Sequence, residues 1–200
     1  MSAVIFHLRD RARPMVEAWQ RYFEGHPEVR PTVGDIFGEP VDTVVSPANC
    51  FGFMNGGIDR AYTQRFGQQL ETRLRERIRS HWDGEMPVGV ALAIGTGAND
   101  IPTLICAPTL RAPVSVAGTL NAYFAFRAVL RTIQRLNASQ PGTVRAVACP
   151  GLGTGTGEMP EAICAKQMHA AYLEVMGGQP FEPSGVNDAL VQHYRLLRTD

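Results

Sequence analysis

Residues 41–67 constrain the fold of this chain more than any other stretch, because they combine a strand, a loop and a helix start in immediate succession. The apolar run at 41–45 is rich in β-branched residues, which is typical of a buried strand in a parallel sheet. Pro47 ends this run, and a polar loop with glycines leads into a helix predicted to begin near Ile58. In an open α/β sheet, ligands bind at such junctions, beyond the carboxyl end of a strand.

The rest of the chain repeats this alternation of strand and helix. Apolar runs predict further strands at 3–8, 29–33, 88–94, 103–107 and 144–149, with the run at 88–94 expected to be a buried strand. Apolar residues at helical spacing predict helices at 13–23, 70–82, 119–136 and 160–176. Strands that alternate with helices need crossover connections, which give a largely parallel sheet covered on both faces. The chain is therefore predicted to be an α/β protein.

The length of the chain favours a single domain. Its 200 residues suit one domain with a sizeable core. We expect this domain to occupy residues 1–178. Residues 179–200 contain two prolines and only a weak helical pattern, so we expect a C-terminal extension that packs on the domain or on a partner.

Charge and cysteine content argue against several functions. The 19 basic and 19 acidic residues cancel, so broad binding to nucleic acid is not expected, and a charged content of 19% is compatible with a homo-oligomer. The four cysteines lack CxxC or paired Cys/His spacing, which predicts reduced thiols and neither a zinc site nor a disulfide framework. No metal and no cofactor are expected. We expect no membrane association, because no leader opens the chain and no apolar run approaches the ~20 residues of a bilayer span. A soluble, cytoplasmic protein is expected.

Two strand-to-helix loops carry the candidate chemistry. The later loop, at 150–160, has a glycine at every second position from 151 to 157, which lets backbone amides approach an anion closely. Before a helix start, such a loop suits a phosphate or a diphosphate. It lacks the lysine of a Walker loop, and it lies in the last strand–helix unit, unlike the dinucleotide-binding fingerprint. A tight turn without a ligand is the alternative.

Three polar residues follow predicted strand ends. Asn49 offers both a donor and an acceptor, which suits a hydroxyl group. Asp59 and Asp35 each have a structural explanation, the first as a charge that complements a helix dipole and the second as a turn residue. Because all three come after strands, they are candidates for one shared cleft.

An ordered set of short motifs runs through this part of the chain: Gly34-Asp35-Ile36, a Val-Asp-x-Val-Val strand at 41–45, Pro47-Ala48-Asn49, Gly56-Gly57-Ile58-Asp59, and Gly-Thr-Gly at 153–155. The set resembles the macro domain, a family of ADP-ribose-binding modules and ADP-ribosyl hydrolases, over residues 29–176. This resemblance implies a three-layer α/β/α fold with a mixed, mostly parallel sheet.

The resemblance also implies roles for individual residues. Asp35 would accept a hydrogen bond from the adenine amino group, with the amide of Ile36 beside it, and Asn49 would contact the distal ribose. Asp59 would position or activate water against the anomeric carbon, so that Asn49 and Asp59 are the implied catalytic residues. The other implied ligand-binding residues are Ala48, Gly56, Gly57 and Ile58 in the first loop and Gly153, Thr154, Gly155, Thr156 and Gly157 in the second.

Three functions stay open at this point. The first is hydrolysis of an ADP-ribosyl bond on a protein, a nucleic acid or a small molecule, which Asn49 and Asp59 favour. The second is a module that senses ADP-ribose or a related nucleotide without turnover, which the apolar loop at 51–54 and the absence of an aromatic at 156–157 favour. The third is a structural subunit that keeps the fold. Phe53 and Met54 are expected either to cover the distal ribose or to pack onto the domain.

Overall fold

The structure, a computed structural model, describes residues 4–199, and this part of the chain forms six strands and six helices. In chain order they are β1 (Ile5–Asp10), α1 (Arg13–Tyr22), β2 (Val29–Val33), β3 (Thr43–Ser46), α2 (Gly57–Phe66), α3 (Gln69–Trp82), β4 (Leu92–Gly95), β5 (Thr103–Cys106), α4 (Asn121–Ser139), β6 (Ala146–Cys149), α5 (Glu161–Val175) and α6 (Val186–Leu196).

The strands form one sheet in the order β2-β1-β6-β3-β5-β4. Every neighbouring pair is parallel except β4 and β5, which are antiparallel. The mixed, mostly parallel sheet is therefore confirmed. Because β6 lies between β1 and β3, the last strand in sequence brings its following loop to the centre of the sheet, beside the loop that follows β3.

Alternation along the strands divides the core into two layers. Val45 and Ile105 pack in a core that includes Trp19 of α1, Phe126 of α4 and Met168 of α5. Their chain neighbours point the other way, because successive side chains of a strand face opposite sides of the sheet. On that second side, Val44 and Leu104 pack with α2 and α3. The three-layer α/β/α architecture is thus confirmed.

Two strand boundaries differ from the sequence expectation. The buried strand expected at 88–94 is wrong, because the chain turns at 88–89 with Gly89 at φ +98° and the strand begins only at Leu92. This strand, β4, is a half-buried edge strand that pairs on one side only. The strand expected at 3–8, whose residue 3 lies outside the described residues, continues to Asp10, because Arg9 finds hydrogen-bond partners in the interior.

The predicted C-terminal extension includes α6, and its residue 200 lies outside the described part of the chain. The helix is attached at its last turn, where Leu196 is 1% exposed, while Val186 at its start and Val191 at its middle are 75% and 68% exposed. The fully buried Gln167 of α5 donates to the carbonyl of Leu196 at 3.2 Å. Lys166, also buried, donates to the carbonyl of Arg198 at 3.0 Å, so buried residues of α5 hold the end of this helix and the residues after it.

Within residues 4–199, each helix is too short or too polar to cross a bilayer.

We expect Gln167→Leu to lower the free energy of unfolding by about 3 kcal/mol, since leucine leaves buried backbone groups without partners. The Gln167 amide group donates to the carbonyls of Thr119 and Leu196 and accepts from the N–H of Tyr123. Urea denaturation followed by circular dichroism measures the change. Gln134→Leu is the matched control, because Gln134 is exposed and donates a single hydrogen bond to Val175. Equal losses in the two variants would contradict the role of Gln167.

Candidate functional site

A cavity of about 510 Å³ opens at the carboxyl ends of the parallel strands. The loops that follow β1, β2, β3, β5 and β6 all contribute to its walls. This volume lies within the range of small-molecule and cofactor sites, roughly 300–1,000 Å³. The cavity is therefore large enough for a nucleotide-sized ligand.

The cavity brings together nearly all the residues that the sequence indicated. The lining includes Asp35, Ile36, Asn49, Gly56, Gly57, Ile58, Asp59, Gly153, Thr154, Gly155, Thr156 and Gly157. Ala48 lies outside the lining. It is 1% exposed, and its carbonyl accepts the N–H of Thr109 at 3.0 Å, so it braces the neighbouring loop.

Sequence reasoning missed three other parts of the wall. They are the end of β1 with the residue after it, the loop that follows β5 and the start of α5. The residues concerned are Arg9, Asp10, Arg11, Thr109, Leu110, Pro113 and Glu161. The charged tripeptide at 9–11 comes directly after an apolar run, and this pattern could have indicated that the segment lines the cavity. The strand order was also needed to see that this segment faces the second glycine loop.

Three helices begin at the cavity without a side-chain cap. Ala12, Gly56 and Pro160 precede α1, α2 and α5, and none of these three residues caps its helix with a side-chain hydrogen bond. The first N–H groups of a helix lack intrahelical partners, and the helix dipole places partial positive charge there. These three helix starts make the cavity a favourable place for an anion.

The glycines of the second loop fall into two groups. A Cβ on Gly151 would lie 2.4 Å from the hydroxyl of Thr154, and one on Gly157 would lie 2.5 Å from the carbonyl of Gly153, so packing requires glycine at 151 and 157. Gly155 is different, because its Cβ would meet no protein atom within 4 Å. In the first loop, Gly56 is equally unconstrained. The fold does not need glycine at these two cavity-lining positions, so the open space beside them is available to a ligand.

The loop that carries Asp35 is held by a buried arginine. Arg9 donates to the carbonyl of Asp35 at 2.7 Å and to Thr32 and Glu39 at 2.8 Å each. A Cβ on Gly34 would lie 2.2 Å from its guanidinium, so the loop closes over Arg9 without room for a side chain there. Arg9 therefore fixes the backbone that presents Asp35 to the cavity.

Asp35 itself has two partners. Its Oδ1 accepts the N–H of Phe37 at 3.0 Å, and its Oδ2 accepts from Arg11 at 2.6 Å. These hydrogen bonds, with the Phe37 amide contributing most, hold the pKa of Asp35 below its ordinary value. The carboxyl group is thus ionised at neutral pH and able to accept hydrogen bonds.

Asn49 shapes the first loop with its own side chain. Its Oδ1 accepts the N–H groups of Phe51 and Phe53 at 3.1 and 3.2 Å, and its Nδ2 donates to the carbonyl of Phe53 at 2.8 Å. The second hydrogen of the amide nitrogen is left for another acceptor. Asn49 therefore serves as a brace of the loop, with one donor hydrogen remaining.

The apolar residues of the first loop divide between core and cavity. Met54 is 1% exposed and packs with Tyr62 and Leu70, which places it in the domain core. Phe53 lines the cavity at 41% exposure, with the guanidinium of Arg75 4.1 Å from its ring centroid. Of these two residues, only Phe53 lines the cavity.

A buried carboxyl group faces the cavity at the start of α2. Asp59 is 7% exposed, and its Oδ1 accepts the hydroxyl of Ser46 at 2.5 Å. Burial raises its pKa to about 7, an effect that the charge of Glu71 reinforces and the Ser46 hydrogen bond opposes. Among the hydrogen bonds of residues 4–199, none reaches Oδ2. Asp59 is therefore a cavity-lining carboxyl group that changes protonation state close to neutral pH.

Neither a metal centre nor a reactive thiol is formed by the described residues. Within 4–199, the structure places no group of three or more His, Cys, Asp or Glu side chains so that they could hold a metal ion. Cys50 follows Asn49 but is 3% exposed, and burial raises the pKa of its thiol.

Comparison with known proteins gives consistent results. Residues 45–168 match the family profile of the Macro domain. A macro domain-containing protein of Streptomyces griseus is 31% identical to this chain over 131 residues, which cover 64% of this chain and 70% of that protein. The profile match at residues 45–168 includes both glycine loops.

Two solved structures show the same fold at lower identity. The macrodomain of Mycobacterium tuberculosis DarG is 23% identical, with a TM-score of 0.58 over 70% of this chain and 87% of that chain. Thermosipho africanus DarTG, solved in complex with ADP-ribose, is 15% identical, with a TM-score of 0.57 over 73% of this chain and 38% of that chain.

The raised pKa of Asp59 predicts how stability depends on pH. The folded-state pKa of about 7 lies above the ordinary value of 3.8, so the folded protein binds this proton more tightly than the unfolded chain does. The contribution of Asp59 to stability therefore falls as pH rises from about 4 to about 7. Asp59→Asn removes this penalty and keeps an acceptor for Ser46.

We expect Asp59→Asn to have nearly the wild-type melting temperature at pH 4 and a melting temperature several degrees higher at pH 8, on a scale of about 2–4 °C per kcal/mol. Differential scanning calorimetry across this range measures the difference. Asp100→Asn, at an exposed ion pair with Arg65, is the control and should show no comparable trend. A constant difference between Asp59→Asn and wild type at every pH would contradict the buried, neutral carboxyl group.

Proposed function

We propose that the cavity binds ADP-ribose, because this chain belongs to the macro domain family and its cavity has the shape and the donors that such a ligand needs. The observation that carries the proposal is the meeting of two glycine loops and three uncapped helix starts at one cavity. The complex of Thermosipho africanus DarTG with ADP-ribose supports the same ligand class.

The proposed pose runs across the carboxyl ends of the strands. The adenine lies at Asp35 and Ile36, where the carboxylate accepts from the exocyclic amine. The diphosphate lies along Gly153–Gly157, where backbone amides and the start of α5 offset its charge. The distal ribose lies between Asn49 and Asp59, with the ring of Phe53 at its edge.

We further propose that the site hydrolyses an ADP-ribosyl bond. Asp59, in its ionised form, takes a proton from water through Oδ2 while the water oxygen bonds to the anomeric carbon of the distal ribose. The bond from that carbon to the carboxylate of the modified group breaks, and the carboxylate leaves with the electron pair. The pKa of about 7 suits a general base, which works best when its pKa is close to the operating pH.

A non-catalytic sensor of ADP-ribose is the second candidate. Both polar atoms of the Asn49 side chain are engaged within its own loop, which limits what this residue offers to a ribose. The second glycine loop ends in Thr156 and Gly157, without an aromatic side chain to hold the ribose against water. In a sensor, ADP-ribose binds in the pose proposed above, and Asp59 stays protonated and does not activate water.

A substitution at Gly155 tests the binding site. We expect Gly155→Val to keep the wild-type melting temperature, because its Cβ meets no protein atom within 4 Å, and to weaken ADP-ribose binding by at least about tenfold. Isothermal titration calorimetry measures the affinity. Gly95→Val, on the exposed end of β4 and outside the cavity, is the matched control and should bind like wild type. Full affinity in Gly155→Val would exclude this loop from the ligand site.

A substitution at Asp59 separates the enzyme from the sensor. We expect the wild type to release ADP-ribose from an aspartate- or glutamate-linked mono-ADP-ribosylated protein, with a rate that rises with pH through about 7 as Asp59 ionises. Asp59→Asn should lower this rate by about 10²–10⁴-fold and retain ADP-ribose binding. Ser46→Ala should shift the pH of half-maximal rate to a higher value, because it removes a hydrogen bond that favours the carboxylate form of Asp59. Binding without release by the wild type would leave the sensor as the function.

A further inference from the structure

Arg11 lies at the Asp35 end of the cavity and is held only weakly. Its side chain is 82% exposed, and its guanidinium lies 2.6 Å from Oδ2 of Asp35, whose side chain is 48% exposed. Ion pairs this exposed contribute about 0–1 kcal/mol, because water screens the charges and two side chains lose freedom. A ligand can therefore displace Arg11 from Asp35 at little cost.

The neighbouring Arg9 has no such freedom. Its side chain is 8% exposed, and it makes three hydrogen bonds beneath the loop at 34–39. The loop also packs on its guanidinium at Gly34 and Gly38. Of the two arginines that line the cavity, only Arg11 is free to change its position.

Asp35 has both of its oxygen atoms engaged before a ligand arrives. Oδ1 accepts the N–H of Phe37, and Oδ2 accepts the guanidinium of Arg11. The Phe37 contact belongs to the turn of the loop, within two residues of Asp35, and it persists as long as the loop is folded. Each carboxylate oxygen can accept a second hydrogen bond. An exocyclic amine that approaches Oδ2 nevertheless meets the Arg11 guanidinium, which lies 2.6 Å from this oxygen.

The Asp35 end of the cavity also lacks an aromatic ring to support a base. Among the described residues that line the cavity, Phe53 is the only aromatic one, and it belongs to the opposite loop, where Arg75 covers it. A purine is stabilised by a flat partner on its face, and a guanidinium serves this purpose because it is planar, charged and weakly hydrated. Arg11 is the group at this end that can provide such a partner.

We propose that Arg11 is a specificity-determining residue that leaves Asp35 when an adenine nucleotide binds and stacks on the face of the base. In the free protein, Arg11 neutralises Asp35. In the complex, the exocyclic amine takes Oδ2, and the guanidinium covers the ring. This inference rests on the proposed function, since it assigns a role within the adenine end of the same cavity.

Calorimetry on three variants tests the proposal. Arg11→Lys keeps the positive charge at Asp35 but has no planar group, and Arg11→Ala removes both. We expect each to bind ADP-ribose about two- to fivefold more weakly than wild type, the range for a cation–π contact at an exposed site. Arg13→Ala, at an exposed arginine on the first turn of α1 and outside the cavity lining, should bind like wild type. Ribose 5-phosphate is the control ligand, because it has no base on which Arg11 could stack. Its affinity, measured by competition with ADP-ribose, should be equal for wild type and Arg11→Lys.

The outcomes distinguish this proposal from the proposed function. If the wild type binds no ADP-ribose, the proposed function fails and the role of Arg11 fails with it. If the wild type binds and either Arg11 variant binds as tightly or more tightly, Arg11 only blocks Asp35 and the stacking role is wrong. A crystal structure with ADP-ribose gives a second readout, in which the Arg11 guanidinium should lie parallel to the adenine. A guanidinium that stays on Asp35 would overturn the proposal.

Discussion

The parallel pairing of β6 with both β1 and β3 is the constraint on which the rest of the structure depends. His7 and Leu8 of β1 stand opposite Ala148 and Cys149 of β6, and Thr43 of β3 stands opposite Val147. This register places the end of β6 beside the ends of β1 and β3. The second glycine loop consequently emerges between the charged segment that follows β1 and the loop that follows β3. Without this insertion, the two glycine loops would lie at separate places on the molecule.

The same arrangement settles the charge balance of the cavity. Backbone N–H groups at the loops and helix starts supply positive potential, while several carboxyl groups line the same space. Asp10 accepts N–H groups of Ala12 and Gly151, and Asp35 pairs with Arg11. Asp59 is half neutral near pH 7 because burial raises its pKa. Local contacts or burial thus offset Asp10, Asp35 and Asp59, while Glu161, the fourth carboxyl group of the lining, lies in the first turn of α5.

Local sequence patterns predicted much of the fold and about half of the cavity wall. The two glycine loops were accessible because each follows an apolar run and precedes a helix signal. Asp35 was accessible because it comes directly after a predicted strand, and Asp59 because it lies in the first turn of a predicted helix. Arg9 and Arg11 were missed because the apolar pattern of β1 stops at Leu8, while the strand continues to Asp10. The edge position of β4 was also missed, since an apolar run looks alike in a central strand and in an edge strand. The hydrogen-bond partner of Asp59 could not be predicted from the neighbouring sequence either, because Ser46 lies 13 residues away and on another element.

The sequence by itself determined the α/β class, the strand–helix order, the family and the two loops, because these depend on periodicity and on short motifs of adjacent residues. Only the tertiary structure decided which strand ends meet, since strand order is set by pairing between distant segments. It therefore also decided that Ala48 faces away from the cavity and that Met54 belongs to the core. The tertiary structure also decided the protonation of Asp59, which depends on burial. It decided the pairing of Arg11 with Asp35 as well, because these residues are distant in sequence.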